Sequence, residues 1–381
     1  MNFFTTINLS EWQWLLVYVF LGSLAIQLCY YLFFYLRLYF VREYPQKLDL
    51  PPITVIICAR NEAENLEKFL PAVLTQDYPE FQVVVVNHAS TDDSETVLAR
   101  LKLTHPHLYF TQIMPSTRFN HNKKLAINVG IKAAKYDNLV FTDADCYPAS
   151  NQWLRKIAAP WDSDTEFVLA HGAYTPTPGL LNYLIRYDAA FIAMQYLSFA
   201  KVGIPYMGVG RNMAYRKDVF IRNRGFGAFN QMNSGDDDLM VNQMAKARTT
   251  KVVLSPESVT LSPAKTTWRS WHVQKNRHLS TAPHYKLGHI LLLGLEPLSR
   301  TLYHLLVALL LLLAIPAWPI VVVGVFIRTA AFYTATTRAF VKFKEKNLLW
   351  GALVLDIFMP IIYLWLSKSE NPKKRKQSQW M

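Results

Sequence analysis

Asn138-Leu139-Val140-Phe141-Thr142-Asp143-Ala144-Asp145 is an apolar run that ends in two carboxylates one residue apart. The run reads as a strand, and the acids stand at its tip. Two carboxylates beside a buried strand are costly unless something positive binds between them. A divalent cation holding a diphosphate meets that need, because Mg²⁺ and Mn²⁺ take carboxylate and phosphate oxygens. A D-x-D triplet recurs in unrelated loops, so its neighbours decide its meaning. Upstream, Ile53-Thr54-Val55-Ile56-Ile57-Cys58 is a near-continuous β-branched run, typical of a strand covered on both faces. Gln82 to Val86 is a second such strand and Leu139 to Thr142 a third. Between them, Asn61 with Glu64 forms a capping-box-like start to a helix reaching about Gln76. Asp92 to Lys102 and Lys123 to Lys135 read as two further helices. This alternation predicts an α/β domain with a mostly parallel sheet, whose ligands bind beyond the carboxyl ends of the strands. Those ends carry Cys58-Ala59-Arg60-Asn61-Glu62, Asn87-His88-Ala89-Ser90 and Asp143-Ala144-Asp145. No G-x-G-x-x-G follows the first strand, which disfavours a dehydrogenase-type dinucleotide fold.

Two more polar clusters lie downstream. Ser234-Gly235-Asp236-Asp237-Asp238-Leu239 sets three carboxylates before an apolar helix; capping a positive helix end explains one of them well and three poorly. Trp268-Arg269-Ser270-Trp271-His272-Val273-Gln274-Lys275-Asn276-Arg277-His278 is basic and aromatic. It suits either an interfacial helix or a wall that binds phosphate and a sugar acceptor.

The chain has 381 residues, 51% of them hydrophobic, a net charge of +13 and three cysteines, Cys29, Cys58 and Cys146. The cysteines show neither metal spacing nor a disulfide framework, which fits a reducing compartment. The densest positive cluster, Lys373-Lys374-Arg375-Lys376, comes after an apolar segment, so a membrane surface explains it better than nucleic acid does. Trp12 to Leu36 has no charged residue and is long enough to span a bilayer. Lys and Arg are absent before it and present after it, as Arg37, Arg42 and Lys47. The positive-inside rule therefore puts the N-terminus outside and the chain beyond this span in the cytoplasm. A cleaved signal peptide would need a basic start and a shorter apolar core. Apolar stretches return at Leu302 to Ile315, Ile320 to Tyr333 and Leu348 to Leu366. A hairpin turning at Pro316 to Pro319 would leave the basic stretch Arg338 to Lys346 in the cytoplasm, and a re-entrant or interfacial last segment would keep the tail there too. The expected layout is an outer N-terminus at 1–11, a span at 12–36, a linker at 37–50 and a catalytic domain at 51–283. An interfacial helix at 284–300, membrane segments at 301–366 and a basic tail at 367–381 complete it. The last segment, 348–366, stays open between a crossing and an interfacial helix.

The order of motifs resembles membrane-bound glycosyltransferases of family 2, the inverting nucleotide-sugar transferases with a GT-A fold. The pieces are Ala59-Arg60-Asn61-Glu62, Asn87-His88-Ala89-Ser90-Thr91-Asp92-Asp93, the K-x-x-A-x-N-x-G-like Lys123 to Gly130, Asp143-Ala144-Asp145, Gly235-Asp236-Asp237 and the Q-x-x-R-W-like Gln274 to His278. The resemblance implies a hexosyltransferase-like enzyme whose Asp145 coordinates Mg²⁺ or Mn²⁺ on the donor diphosphate, with Asp143 beside it. It implies that Arg60, Glu62 and the Asn87, His88 and Asp92 loop line the nucleoside pocket, that Lys123 positions the donor, and that Gln274 and Arg277 contact the diphosphate and the acceptor channel. Asp237 would be the general base. Gly210, Arg211 and Asn212 would form the acceptor-side floor, with Asp236 and His278 nearby. One base with in-line attack gives inversion.

Two departures stand out. Asn87-His88 replaces a frequent Asp-Asp whose second member reads uracil, which leaves the donor base open. His278 replaces a Trp that stacks on the acceptor sugar in processive synthases. With few membrane segments for a translocation pore, this favours single transfers to a lipid-linked glycan or lipid. The processive polysaccharide synthase is the neighbouring alternative. An inactive sugar-nucleotide-binding scaffold is the alternative from another class. The implied location is the inner membrane of the cell, with the catalytic domain cytoplasmic and a role in envelope polysaccharide.

Overall fold

The computed structural model describes residues 9–45, 47–115, 123–230, 232 and 234–367. The basic cluster 373–376 lies outside the described residues. In chain order the elements are α1 (Glu11–Leu28), β1 (Ile53–Ala59), α2 (Ala63–Leu74), β2 (Phe81–His88), α3 (Ser94–Thr104), β3 (Leu108–Ile113), α4 (Lys123–Ala133), β4 (Asn138–Asp143), β5 (Tyr147–Pro148), α5 (Trp153–Ala158), β6 (Phe167–Leu169) and β7 (Gly172–Tyr174). Next come α6 (Leu180–Lys201), β8 (Met213–Arg216), α7 (Lys217–Arg222), α8 (Asp238–Met244), β9 (Thr250–Val252), β10 (Thr260–Ser262), α9 (Trp268–Leu279), α10 (Leu287–Leu313), α11 (Trp318–Lys342) and α12 (Ala352–Ser367).

Every residue of β1 is buried, as its unbroken β-branched run requires of a strand with helices on both faces. The main sheet has the order β3-β2-β1-β4-β8-β6-β9. It is mostly parallel, as expected; β8 alone runs antiparallel to its neighbours β4 and β6. A small second sheet, β5-β10-β7, sits beside it. The parallel register sets Ala59 beside Asn87 and Cys58 beside Asp143, so the three polar strand ends lie side by side. α4 packs closely across β1 and β2. A Cβ on its Gly130 would come within 2.7 Å of Ile56 Cγ2, so glycine sets the depth at which the helix seats.

The expected cap of α2 is different in the structure. Asn61 adopts φ +55° and does not cap the helix; its Oδ1 accepts from the Thr91 backbone instead. The helix start is capped from the neighbouring loop, where Asp92 Oδ2 accepts from the Ala63 backbone at 2.9 Å.

Four helical segments among the described residues are long and apolar enough to cross a membrane: Glu11–Phe40, Leu287–Leu313, Trp318–Lys342 and Lys346–Leu366. The stretch expected as a separate interfacial helix, 284–300, belongs largely to α10, which runs without a break into the adjoining apolar segment. Its two buried charges are paired: Glu296 and Arg300 lie one turn apart with a 3.3 Å contact. A short turn at Ile315–Ala317 reverses the chain into α11.

α1, α10 and α11 share an apolar cluster built on Val17, Phe20, Leu24, Leu306, Leu310 and Val321. At its base lies a buried polar network. Arg328 donates to Asp356 at 2.6 Å and to Gln27 at 2.9 Å, and Arg300 reaches Asp356 at 3.5 Å. Below that network, α6 joins the helices to the sheet domain: Phe191 stands under Arg300, and Arg186 forms a buried ion pair with Glu345.

Candidate active site

The carboxyl ends of β1, β2 and β4 open into a groove whose far side is formed by the start of α8 and by α9. Lys123, the first residue of α4, stands between the two acidic clusters. Its Nζ lies 2.7 Å from Asp143 Oδ1 and 3.2 Å from Asp236 Oδ2. The ammonium thus bridges the strand-end acids and the second acidic motif. Beneath it a small cavity is lined by Cys58, Thr142, Tyr215 and Asp236. The Thr142 and Tyr215 hydroxyls are buried there without a hydrogen-bond partner among the described residues.

Asp143, Asp145 and Cys146 offer ligand atoms within 4.8 Å of one another. The Cys146 thiol donates to Asp145 Oδ1 at 3.3 Å, and burial with the two aspartates raises its pKa well above the ordinary thiol range. It is therefore a neutral donor rather than a thiolate, and the hard oxygens of Asp143 and Asp145 are the ligand pair. Burial raises the pKa of Asp145, and the Asp143 charge adds to it. Burial acts the same way on Asp143, but the Lys123 ammonium outweighs it and brings that carboxyl below its ordinary range. Glu62 is also raised, first by burial and further by the charges of Asp145 and Asp143. The Asp143 and Asp145 carboxylates, with the Glu62 charge adding to the negative field nearby, suit a hard divalent cation.

Across Lys123, both oxygens of Asp237 accept backbone N–H groups, Oδ2 from Gly210 and Oδ1 from Asp238, each at 2.8 Å. Burial, then the Asp236 and Asp238 charges, push its pKa up to about 7. A carboxylate fixed in this way and titrating near neutrality has the properties of a general base. Asp238 faces inward; it accepts from the Thr281 hydroxyl and, at 2.7 Å, from the Tyr285 hydroxyl, which ties α8 to the end of α9.

Arg211 is held by Gly172, whose carbonyl accepts from Nη2 at 2.7 Å, and by Tyr174, whose hydroxyl accepts from Nη1 at 3.0 Å. Gln274 of α9 donates to the same hydroxyl at 3.3 Å. Arg277 and His278 are solvent-exposed on the last turn of α9, and the Arg277 charge reaches Asp143. On the opposite side, Arg60 Nη1 and Asn87 Oδ1 are buried atoms without a hydrogen-bond partner among the described residues, one donor and one acceptor at adjacent strand ends.

Three expected contact residues are buried in the protein or bonded within it. Asn212 is fully buried; it accepts from the Trp153 indole at 3.0 Å and donates to the His171 and Ser258 carbonyls, so it braces the core behind the groove and lines no floor. His88 is likewise fully buried, at the end of β2. Asp92 is occupied in capping, by the Ala63 backbone and by Ser94. No pattern in the sequence pointed to Tyr174, which joins Arg211 to Gln274. Nor did any single out the role of Lys124, whose buried ammonium donates to the carbonyls of Phe229, Met232 and Ser234 and so anchors the approach to Asp236.

The mostly parallel sheet, with acidic residues at its carboxyl edge and a second acidic cluster across the groove, is the architecture of a GT-A-type glycosyltransferase. The chain belongs to glycosyl transferase family 21, whose profile matches residues 18–371. The family expected from the motif order is family 2; the matching profile is that of family 21. Over 176 residues the chain is 29% identical to glycosyltransferase AglE of Haloferax volcanii, covering 45% of this chain and 53% of AglE. Over 109 residues it is 28% identical to a poly-beta-1,6-N-acetyl-D-glucosamine synthase of Staphylococcus epidermidis, covering 29% of this chain and 25% of the synthase. The matches thus span about a quarter to a half of these relatives. The mannosyltransferase PcManGT of Pyrobaculum calidifontis, solved with GDP-Man and Mn²⁺, is similar in fold at a TM-score of 0.54 and 19% identity, covering 90% of this chain and 99% of that one.

Proposed function

We propose that this protein moves one sugar, with inversion, from a nucleotide-diphosphate sugar to a membrane-associated lipid or glycan acceptor. The observation that carries this reading is the pairing, across Lys123, of a cation-seeking corner (Glu62, Asp143, Asp145) with an aspartate whose pKa is about 7 (Asp237). The motif order resembles that of family 2, and this supports the roles that follow. Asp143 and Asp145 would hold Mg²⁺ or Mn²⁺, which when bound neutralises charge on the leaving diphosphate. Arg277 and Lys123 add positive charge on the same side. Arg60 and Asn87 face the nucleoside with one unused donor and one unused acceptor. Asp237 takes the proton from the acceptor hydroxyl as its oxygen attacks the anomeric carbon, while Gly210 N–H and Asp238 N–H hold the carboxylate in place. Arg211, Gln274, Asp236 and His278 border the acceptor side.

The names of the relatives support sugar transfer, and the Mn²⁺ and GDP-Man in PcManGT support a metal and a nucleotide sugar. The match to a polymer synthase favours the processive alternative; His278, in place of a stacking Trp, favours single transfer. The basic residues that follow the first span, with none before it, support a catalytic domain on the cytoplasmic face. α12 fits an interfacial helix, because both its ends rest on α6. Tyr183 donates to the Leu348 carbonyl at 2.8 Å near the start, and Tyr363 donates to Asp188 near the end.

The test is a panel of nucleotide sugars given to purified protein with Mg²⁺, Mn²⁺ or EDTA, with acceptor lipids present and product length measured. Metal-dependent release of nucleotide diphosphate with a single added sugar is the expected result. Polymer in the product would select the processive reading, and no turnover or binding of any nucleotide sugar would overturn both.

A further inference from the structure

α9 carries Gln274 and Arg277 toward the groove. Between them Lys275 is 5% exposed and points the other way. It forms an ion pair with Asp188 of α6 through Oδ2, while Oδ1 of the same carboxylate accepts the hydroxyl of Tyr363 from α12. The Lys275 ammonium also lies 5.3 Å from the Tyr363 ring centroid. Around this triad, His272 meets Trp365 with ring centroids 5.2 Å apart, and Trp271 packs with Leu366. α9 is therefore clamped on its back by α6 and α12 while its front meets Tyr174 and Arg211. A buried ion pair adds little net stability over an apolar contact of the same size. What it adds here is registration: one ammonium, one carboxylate and one hydroxyl fit in a single rotation of α9.

We propose that Lys275 is a positioning residue for sugar transfer: its pair with Asp188, shared with Tyr363, fixes α9 so that Gln274 and Arg277 face the diphosphate corner, and it links that geometry to the C-terminal membrane helix. The proposal rests on the transfer reading above. A shift of about 1 Å in a substrate-binding group costs roughly a hundredfold in rate, so a loosened α9 should show in the kinetics.

The test uses full-length protein in detergent and compares wild type with Lys275→Met, the double variant Lys275→Met/Asp188→Leu, and Tyr363→Phe, which keeps the ion pair. The double variant leaves no uncompensated buried charge, so it folds even where the single variant does not. Two readouts are taken: kcat and KM for the nucleotide sugar, and hydrogen exchange of the α9 amides against those of β1 and β4. Expected are a fall of about a hundredfold in kcat/KM and faster exchange confined to α9 in the double variant, with Tyr363→Phe nearer wild type. A lower melting temperature with unchanged kcat/KM and unchanged α9 exchange would mean a merely structural pair and would overturn the proposal. If the wild type turns over no nucleotide sugar, the transfer reading fails separately. The exchange readout then decides the clamp alone, and wild-type α9 protection in the double variant overturns it.

Discussion

Asp237 is fixed by two backbone donors but is surrounded by acid, and the balance puts its pKa at about 7. Asp237→Asn keeps the hydrogen-bonding shape and removes the base, so kcat should fall by about 10²–10⁴-fold with the donor KM little changed. In the wild type, kcat/KM should rise with pH along a limb centred near 7, and the variant should lose that limb. The same shift bears on stability with the opposite sense. Between the ordinary carboxyl range near 4 and about 7 the folded protein keeps a proton that the unfolded chain has released, so stability falls as pH rises through this window. Melting in EDTA should show the decline, and Asp237→Asn should flatten it. Asp145→Asn should abolish metal-dependent donor binding in a titration with and without Mn²⁺, while leaving the fold intact. These acids were legible in the sequence because several carboxylates at strand and helix ends are expensive without a purpose. Tyr174, Lys124 and the Thr281–Tyr285 pair were not, since each is a single residue of ordinary type whose role exists only once distant segments meet. Asn212, bonded to core groups, shows the converse: a polar residue in a motif reads the same whether it faces ligand or core.

Elements were legible in proportion to their length and period. β1, β2 and β4 announced themselves as unbroken apolar runs, whereas β5, β6, β7, β9 and β10 span two or three residues each and carry no period to read. The antiparallel β8 comes after the Gly208 to Asn212 turn and its direction depends on a crossover that no local pattern encodes. In the apolar helices, buried charges join one helix to another. Glu296, Arg300, Arg328 and Asp356 form a neutral set of two acids and two bases at the meeting of α10, α11 and α12. Arg328→Met leaves one acid uncompensated and should destabilise the protein by about 3–5 kcal/mol. Arg328→Met/Asp356→Leu restores neutrality, with Glu296 and Arg300 still paired. The double variant should therefore melt above either single variant in detergent. Additive losses in the double variant would mean that the four groups do not act as a set.

At the scale of the whole molecule the question is which segments cross the bilayer. α1, α10 and the first half of α11 share one apolar cluster and expose Leu15, Leu309, Leu312, Val322 and Phe326, as helices facing lipid do. The second half of α11 is different: Phe340 and, just past the helix, Phe343 pack against Tyr187 and His171, so this part is covered by protein rather than open to lipid. α12 begins and ends on that domain. Its outer face, with Val354, Phe358, Ile361 and Trp365, is apolar and exposed. The tether at both ends and the exposed apolar face support the proposed interfacial placement of α12. Composition alone could not separate this from a span, because α12 is long and apolar enough for either. The distinction is measurable with single cysteines in a Cys29→Ser background, labelled by an impermeant reagent in sealed vesicles of each orientation. Glu95→Cys reports the catalytic domain and Gln377→Cys the tail. Both should react from the same face, with Ser10→Cys reacting from the opposite one. Labelling of Gln377→Cys from the face that labels Ser10→Cys would make α12 a crossing helix and would remove the structural reason for a basic tail beside the active-site domain.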